Sequence, residues 1–494
     1  MYLLGLDLGS SSVKAALVDA RTGKTAGIAH APETEMTMTA PHPGWAEQDP
    51  ETWWENCRNA VQKLLRRTQV SPADIAAIGI SYQMHGLVAT DGAGGVVRPS
   101  IIWCDSRAVG IGDKAFRDIG EDYCLRHYLN GPGNFTASKL KWVMDNETEC
   151  YQRIRYFMLP GDYLAFRMTG EPMTTISGLS EGILWDFAEN GVARRLVDHY
   201  GIDRSMIPPL APTFGEQGRL AEDAAAYLGL KAGVPVTYRA GDQPNNALAL
   251  NVLNPGEVAA TGGTSGVVYG VVDSLVYDRQ NRVNSFAHVN HSPQTPRIGV
   301  LLCINGAGSL YGWMRKQVAA DGVSYDDMER MAATVPAGSD GLRIIPFGNG
   351  AERMLGNRNS GASVVNLHLN RHGRQHLYRA ALEGVAFSFV YGMKVLQELG
   401  LNVSVVRVGN DNLFLSAIFS RTIAQLLGCR IEMLRTTGAA GAAIASGVGI
   451  GVWPDVRQGL SALEHLHTYE PQKKTDAALE DAYGHWRAYL DKLI

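Results

Sequence analysis

The sequence predicts an α/β protein of two related domains closing on a shared cleft, and three observations lead there. The chain has 494 residues, more than one hydrophobic core accommodates and ordinary for two domains. Its beginning reads as an apolar run, a small polar turn and a second apolar run: Tyr2 to Leu8, then Gly9-Ser10-Ser11-Ser12, then Val13 to Asp19. That is a β-hairpin pattern. The pattern returns at Val258 to Gly270 as VAATGGTSGVVYG. A strand-turn-strand unit repeated about 250 residues apart points to a duplicated domain, each copy offering one turn to a common ligand.

The remaining elements follow in order. A helix is expected from about Pro50 to Arg67, with Asp49 as its cap, Pro50 in its first turn and Trp53, Trp54, Val61 and Leu64 on its apolar side. Ile75 to Ser81 reads as a buried strand, and Met84 to Thr90 as its partner leading into a glycine-rich turn at 92–95. Strands interleaved with helices indicate an α/β domain. The stretch RAGDQPNN, Arg239 to Asn246, lies near the domain boundary. Helices are expected at Ala380 to Leu399, at about Ser416 to Leu427 and at Ala439 to Ser446. No long linker separates the halves, so they are expected to pack closely.

Composition narrows the function classes. Apolar residues make up 45% and charged residues 19% of the chain, as in ordinary folded proteins. A formal charge of −4 leaves no basic excess for a nucleic-acid backbone, and no lysine-rich run marks a membrane patch. The six cysteines form no C-x-x-C pair, which argues against a zinc site or a disulfide framework. The apolar run of MYLLGLDLGS breaks at Asp7 and has no basic segment before it, unlike a secretory leader. No apolar stretch approaches the roughly 20 residues of a spanning helix. The expectation is a cytoplasmic protein whose partners are small molecules rather than nucleic acid or membrane.

Four segments carry candidate chemistry. The turn Gly9-Ser10-Ser11-Ser12, with Asp7 before it and Lys14 after it, exposes backbone N–H groups that can cradle phosphate oxygens. Asp7 can hold magnesium there, usually through water. As a lone feature the same turn is an ordinary tight hairpin. Thr261-Gly262-Gly263-Thr264-Ser265-Gly266 repeats that logic, and the two turns together suggest a nucleotide held between domains. Gly241-Asp242-Gln243 places an acid in a glycine-flanked turn at the domain junction. Phosphoryl transfer to a hydroxyl needs one carboxylate to take the proton, although a lone Gly-Asp is more often a structural turn. Gln83-Met84-His85-Gly86, followed by Trp103-Cys104-Asp105-Ser106-Arg107, combines polar groups with an apolar wall, as a polyol pocket requires. His85 and Trp103 taken singly would more often be core residues.

Three motifs fail on spacing. Gly23-Lys24-Thr25 lacks the earlier P-loop glycine, because Val18 stands there. Gly306, Gly308 and Gly312 miss the dinucleotide spacing by one residue. His368 and His372 enclose Leu-Asn-Arg, with no glutamate for a metalloprotease, and read as surface residues.

Over nearly its full length the chain resembles the FGGY carbohydrate kinases. LGLDLGSSSVKAALVD looks like the family's first phosphate motif, with Ser10 where Thr is usual, and VAATGGTSG like the second. NFTASKLKWV, FMLPGDYLAFRMTG, LEGVAFSF and TTGAAGAAIASG follow in the family's order. GISYQMHGLVATD and RPSIIWCDSRA are similar to the xylulokinase branch.

The resemblance implies two RNase-H-like domains of the actin/hexokinase/Hsp70 ATPase type, residues 1–243 and 244–494, with a deep cleft between them. It implies ATP-dependent phosphorylation of D-xylulose to D-xylulose 5-phosphate, with ATP and Mg²⁺ as cofactors, and leaves a homodimer open as the assembly. Asp242 would be the base and Asp7 the magnesium residue. Met84, His85, Asp242 and Gln243 would touch the sugar, with Trp103 and Asp105 shaping its pocket from further away. Ser10, Ser11, Lys14, Gly263, Thr264, Gly308, Gly409 and Asn412 would face ATP.

Three departures bear on specificity. Gln243, followed by Pro244, stands where Asn is commonest. Gly409-Asn410-Asp411-Asn412 replaces a glycine-rich adenosine loop. Ser180-Glu181-Gly182 replaces a small hydroxyl-rich run. The alternatives are another ketose or polyol such as ribulose, a catalytically silent sugar-binding protein on the same fold, and an actin- or chaperone-like ATPase.

Overall fold

The structure, a computed structural model, describes residues 1–472 and 476–494. The first sheet grows from the expected hairpin. β1 (Tyr2–Leu8) and β2 (Val13–Asp19) pair antiparallel with Asp7 opposite Lys14, and β3 (Thr25–Ala31) continues antiparallel from β2. The helix α1 (Pro50–Thr68) packs on β2 and β3 through Trp53, Cys57, Ala60, Val61 and Leu64. The Asp49 carboxylate accepts from the Glu51 N–H and Pro50 opens the helix, so both start signals act as they read. β4 (Ile75–Tyr82) then lies parallel to β1.

The segment after β4 differs from the expectation. Only Val88–Thr90 is a strand, β5, and its partner is not β4. After α2 (Thr136–Asn146), the chain supplies β6 (Tyr156–Met158), which pairs antiparallel with β5. Gln83 to Gly86 instead forms a turn in which His85 takes φ 61°. A non-glycine residue held in the left-handed region is uncommon, and such positions cluster at functional sites. The first half continues through α3 (Pro160–Thr169) and α4 (Ile176–Glu181) to β7 (Val236–Gly241), which lies parallel to β4. The sheet order is β7-β4-β1-β2-β3.

The second half repeats this plan. After α5 (Asp242–Ala249), β8 (Glu257–Gly262) and β9 (Gly266–Val272) form the second hairpin. β10 (Asn284–Ala287) and β11 (Ile298–Ile304) extend it antiparallel from β9. Then come α6 (Gly308–Gln317) and the long α7 (Arg374–Glu398), which starts earlier than its apolar run suggested. β12 (Val405–Gly409) is parallel to β8, and α8 (Ala417–Leu427) leads to β13 (Ile431–Arg435), parallel to β12. Last are α9 (Gly438–Gly449) and the edge strand β14 (Glu464–Tyr469). The order is β10-β11-β9-β8-β12-β13-β14. Each sheet therefore has a hairpin, a third antiparallel strand on one flank and two parallel strands on the other.

Two helices lie between the sheets. α9 comes from the second half yet packs on β1, β2, β4 and β7 of the first. Its sequence, GAAGAAIASGVG, presents only small side chains along most of its length. Glycines on the facing strands complete the fit, since a Cβ on Gly5 or Gly79 would overlap the carbonyl oxygens of Ala439 and Ala442. α5 packs against α9 and against the β8–β9 hairpin. This layout brings the carboxyl ends of β1, β4 and β7 toward those of β8, β12 and β13. Ligands of open α/β sheets bind beyond such ends.

Candidate active site

A cavity of about 240 Å³ opens between the two sets of strand ends. The first sheet and α5 contribute Asp7, Lys14, Gln243 and Asn246, and the second sheet contributes Thr261, Gly409, Asp411 and Thr437. Of the residues singled out from sequence, Asp7, Lys14, Gln243, Thr261 and Gly409 line it directly, whereas Asp242, Met84, His85, Ser10, Ser11, Gly263, Thr264, Gly308 and Asn412 lie outside its lining. Asn246, Asp411 and Thr437 were not foreseen. Each follows a parallel strand by a few residues, and none of these three strands was expected from the sequence.

At the carboxyl end of the first sheet, Asp7 of β1 and Asp242 after β7 stand on either side of β4. The Ser81 hydroxyl donates to Asp7 Oδ1 at 2.7 Å. Burial pushes the Asp7 carboxyl above its usual range, while Ser81 and Lys14 oppose the rise. Asp242 opens α5 directly after β7. Burial, reinforced by the Asp7 charge, pushes its carboxyl up to about 7, against hydrogen bonds from Gln243. A carboxyl poised there exchanges protons readily at neutral pH.

Beside Asp242 lie Met84 and His85. The Met84 Cγ sits 2.6 Å from where a Cβ on Gly241 would stand, so a side chain at that point of β7 would displace Met84. The His85 ring packs edge-on against Phe135 and tilted against Phe286, the latter from the second sheet. Its Nδ1 lies 2.9 Å from the Glu181 carbonyl. A carbonyl only accepts, so Nδ1 carries the proton and Nε2 is left as an acceptor. Burial pushes the ring down to about 3, which keeps it neutral. Beneath it, Lys139 of α2 is fully buried and donates to the carbonyls of His85 and Ile102 at 2.8 and 2.9 Å. Burial lowers this amine to about 7. The NFTASKLKWV motif thus pins the turn that carries Met84 and His85.

The second hairpin forms a backbone cradle. The Gly308 N–H donates to the Gly263 carbonyl at 2.9 Å and the Ser309 N–H to the Thr264 carbonyl at 3.0 Å. A Cβ on Gly308 would overlap the Gly263 carbonyl, so the close approach of α6 to the turn requires glycine. Asn412, at φ 57°, lies against Gly263. The structure thus joins Gly263, Thr264, Gly308 and Asn412. Glu352, which sequence reasoning missed, accepts from the N–H groups of Asn305 and Gly306 at 3.0 and 2.8 Å and fixes the loop ahead of α6.

The remaining candidates sit further off. In the first turn, the Ser10 and Ser11 carbonyls accept from the Gln48 side chain at 2.7 Å and the Met36 N–H at 2.8 Å. Ser11 stays exposed and Ser10 partly so. Trp103 is 53% exposed and lies outside the cavity lining. Asp105 is fully buried, accepting from the Ala46 N–H at 2.6 Å and pairing with Arg107 at 2.7 Å. Its oxygens are occupied by the scaffold.

The arrangement suits group transfer from a phosphate donor to a hydroxyl, with an acid-base carboxyl on one side and a backbone cradle on the other. Among the described residues no cluster of three or more His, Cys, Asp or Glu residues is placed to hold a metal, and no helix is long and apolar enough to cross a membrane.

Comparison with known proteins agrees with this geometry. The model described as the FGGY family of carbohydrate kinases, N-terminal domain, matches residues 2–249, and that of the C-terminal domain matches residues 258–450. The chain is 30% identical to a xylulose kinase of Escherichia coli K12, over 90% of this chain and 88% of that protein. It is also 30% identical to the L-xylulose/3-keto-L-gulonate kinase of the same organism, over 100% of this chain and 97% of that protein. The crystal structure of a xylulose kinase from Rhodospirillum rubrum superposes with a TM-score of 0.89 at 26% identity, covering 100% of this chain and 99% of that one.

Proposed function

The chain belongs to the FGGY family of carbohydrate kinases, and we propose that it transfers the γ-phosphoryl group of ATP to D-xylulose, giving D-xylulose 5-phosphate and ADP. The observation that carries this reading is Asp242: a half-buried carboxyl poised at about 7, close enough to feel the Asp7 charge, with Met84 packed against the preceding Gly241.

In this reaction the C5 hydroxyl of the ketose attacks the γ-phosphorus in line. The new O–P bond forms as the bond to the ADP oxygen breaks, and Asp242 takes the hydroxyl proton. Met84 supplies an apolar wall for the carbon chain, and His85 Nε2 and Gln243 hydrogen-bond its hydroxyls. Trp103 and Asp105 shape that pocket at a distance. Ser10, Ser11 and Lys14 face the transferred phosphoryl group, and Gly263 and Thr264 hold the β- and γ-phosphates through backbone N–H groups, with Gly308 near the nucleotide and its own N–H bonded to the Gly263 carbonyl. Gly409 and Asn412 border the adenosine.

The donor set fits Mg²⁺. The Asp7 charge raises the cost of ionising Asp242, a cost that a bound cation lowers, and so few protein oxygens suit an ion that keeps most of its waters. Asp7 would hold it, and bound there it neutralises charge on the phosphates. The division of labour places the sugar in residues 1–243 and most of the nucleotide in residues 244–494.

A second reading within the family is phosphorylation of a different ketose, favoured by Gln243 and by the equal identity to the L-xylulose/3-keto-L-gulonate kinase. A coupled assay of ADP release across D-xylulose, D-ribulose, L-xylulose, glycerol and gluconate separates the two. D-xylulose is expected to give the highest kcat/KM. A higher value for another ketose establishes the second reading, and ATP turnover indifferent to any sugar sinks both.

A further inference from the structure

Glu181 is the one carboxyl beside Asp242 that no role above uses. It ends α4 and is 1% exposed. Neither of its carboxyl oxygens has a hydrogen-bond partner. Buried polar groups are almost always bonded, and an orphaned carboxyl is stabilised when a partner arrives to satisfy it. The charged neighbours make bonds of their own, although Arg239 Nη1 has no hydrogen-bond partner. Arg239 pairs with Asp162 at 2.9 Å, and Lys139 is held by two carbonyls. The Tyr82 hydroxyl lies beside the carboxyl outside bonding geometry, and a bond between them would occupy one of the two oxygens.

The position of this carboxyl is informative. Glu181 Oε2 stands 2.7 Å from the point a Cβ on Gly241 would occupy, where the Met84 Cγ also converges. Glu181 therefore meets the sugar-facing turn and the strand end that presents Asp242. Its own carbonyl orients His85. The preceding Ser180 hydroxyl accepts from the Ala287 N–H of β10 at 2.9 Å, so α4 is tied to the second sheet. Burial first, then the nearby Asp242 and Asp162, hold the Glu181 carboxyl well above its usual range, which favours its protonated form. A protonated carboxyl donates through one oxygen and accepts through the other. A sugar hydroxyl, itself donor and acceptor, complements it.

We propose that Glu181 is a specificity residue for the ketose, bonding a hydroxyl other than the one that accepts the phosphoryl group. The proposal deepens the sugar-kinase reading and rests on it. A site built to bond a hydroxyl rejects an analogue that lacks or inverts it far more strongly than an apolar wall does.

The test compares kcat/KM for the ketose turned over fastest with three relatives, each altered at one hydroxyl. For D-xylulose these are 1-deoxy-D-xylulose, D-ribulose and L-ribulose, which change the hydroxyls on C1, C3 and C4 in turn. In the wild-type protein the analogue altered at the hydroxyl Glu181 reads is discriminated against. In Glu181→Leu that one ratio is expected to collapse by about 10- to 100-fold through loss of kcat/KM for the parent ketose, while the other two ratios hold. Glu181→Gln, which keeps a donor and an acceptor, stays within about 5-fold of wild type. An equal fall for all four sugars, or no change in any ratio, overturns the proposal.

Should Glu181→Leu fail to fold, the wild-type protein still decides. The infrared band of the Glu181 carboxyl, assigned by its loss in Glu181→Gln, shifts when the ketose binds, and an unshifted band overturns the proposal. A wild-type protein that phosphorylates no ketose refutes the function proposed above. One that does so, with every ratio intact in Glu181→Leu, refutes only the role of Glu181.

Discussion

The two sheets share a topology and differ in what stands at their carboxyl ends. The first sheet ends in two acids: Asp7 near the end of β1, bonded by Ser81 of β4, and Asp242 after β7. The second ends largely in hydroxyls, amides and glycine, with Asp411 as the exception: Thr261 in β8 and Gly263 and Thr264 after it, Gly409 ending β12 and Asn412 after it, Thr437 after β13. The difference follows from the chemistry each can support. Buried carboxylates repel a phosphate but move protons and hold cations, whereas backbone N–H groups bind anions without adding charge. One backbone plan thus supplies an acid-base half and an anion-holding half, and the side chains at six strand ends decide which is which.

The sharpest way to break this comparison is at Asp242. Asp242→Asn is expected to lower kcat by about 10²- to 10⁴-fold with little change in the KM for ATP. In the wild type, kcat/KM should fall tenfold per pH unit below about 7, where Asp242 protonates, and the variant should lose that limb. Stability runs the other way. The folded carboxyl titrates at about 7 against an ordinary value of 3.8, so its favourable protonated contribution is whole below about 4 and is lost as the pH rises through 7. Asp242→Asn should therefore gain stability over wild type across that window, on the order of 4 kcal/mol. Thermal melts at pH 4 and pH 8 measure it, and an advantage that shrinks toward pH 8 contradicts the assignment.

The complementary change is Gly308→Ala in the second half. Its Cβ would press on the Gly263 carbonyl and spread the cradle. Overpacking of this kind costs about 1–3 kcal/mol, which here falls on nucleotide binding. Steady-state kinetics should show the KM for ATP raised about 10- to 100-fold, with the sugar KM and the acid limb of the pH profile unchanged. A change in the pH profile instead would mean that the two halves do not divide the work.

Much of this architecture was legible because it is local. Both hairpins announce themselves as a glycine-serine turn between apolar runs, and α1 carries its cap and its proline in sequence. The second role of a segment was not legible where it depends on distant partners. The residues after Tyr82 read as a strand, yet β5 pairs with β6 from a later part of the chain, and the freed turn carries His85 at φ 61°. α9 was readable as a helix, but nothing in GAAGAAIASGVG says that it packs on the other half's sheet. The match lies in Gly5 and Gly79, far away in sequence. At the site, Asp242 and the Met84-His85 pair stood out as unusual residue types in turns, whereas Glu181 drew notice only as a departure from a resemblance. Its unpartnered burial is a fact of packing. Trp103 and Asp105 mark the converse: residues of the right chemistry whose placement, one exposed and one bound to Arg107, keeps them from the cavity lining.

The smallest expected effect probes whether the acids of the first sheet act as one unit. Ser81→Ala removes the hydroxyl that donates to Asp7 at 2.7 Å and leaves the strand intact, since Ser81 is buried and alanine is smaller. A hydrogen bond to a charged group contributes about 1.5–3 kcal/mol, and this one opposes the upward push of burial on Asp7. Without it the Asp7 carboxyl moves further up and carries a proton for more of the time at neutral pH. Activity near pH 7 should fall about 10-fold, and raising either the pH or the Mg²⁺ concentration should restore part of it, because both favour the ionised form. The Asp242 limb should also move, slightly downward, as a neutral Asp7 no longer disfavours ionisation of its neighbour. A Ser81→Ala protein that loses activity equally at every pH and every Mg²⁺ concentration would show that the hydroxyl only fills space, and that Asp7 and Asp242 titrate independently.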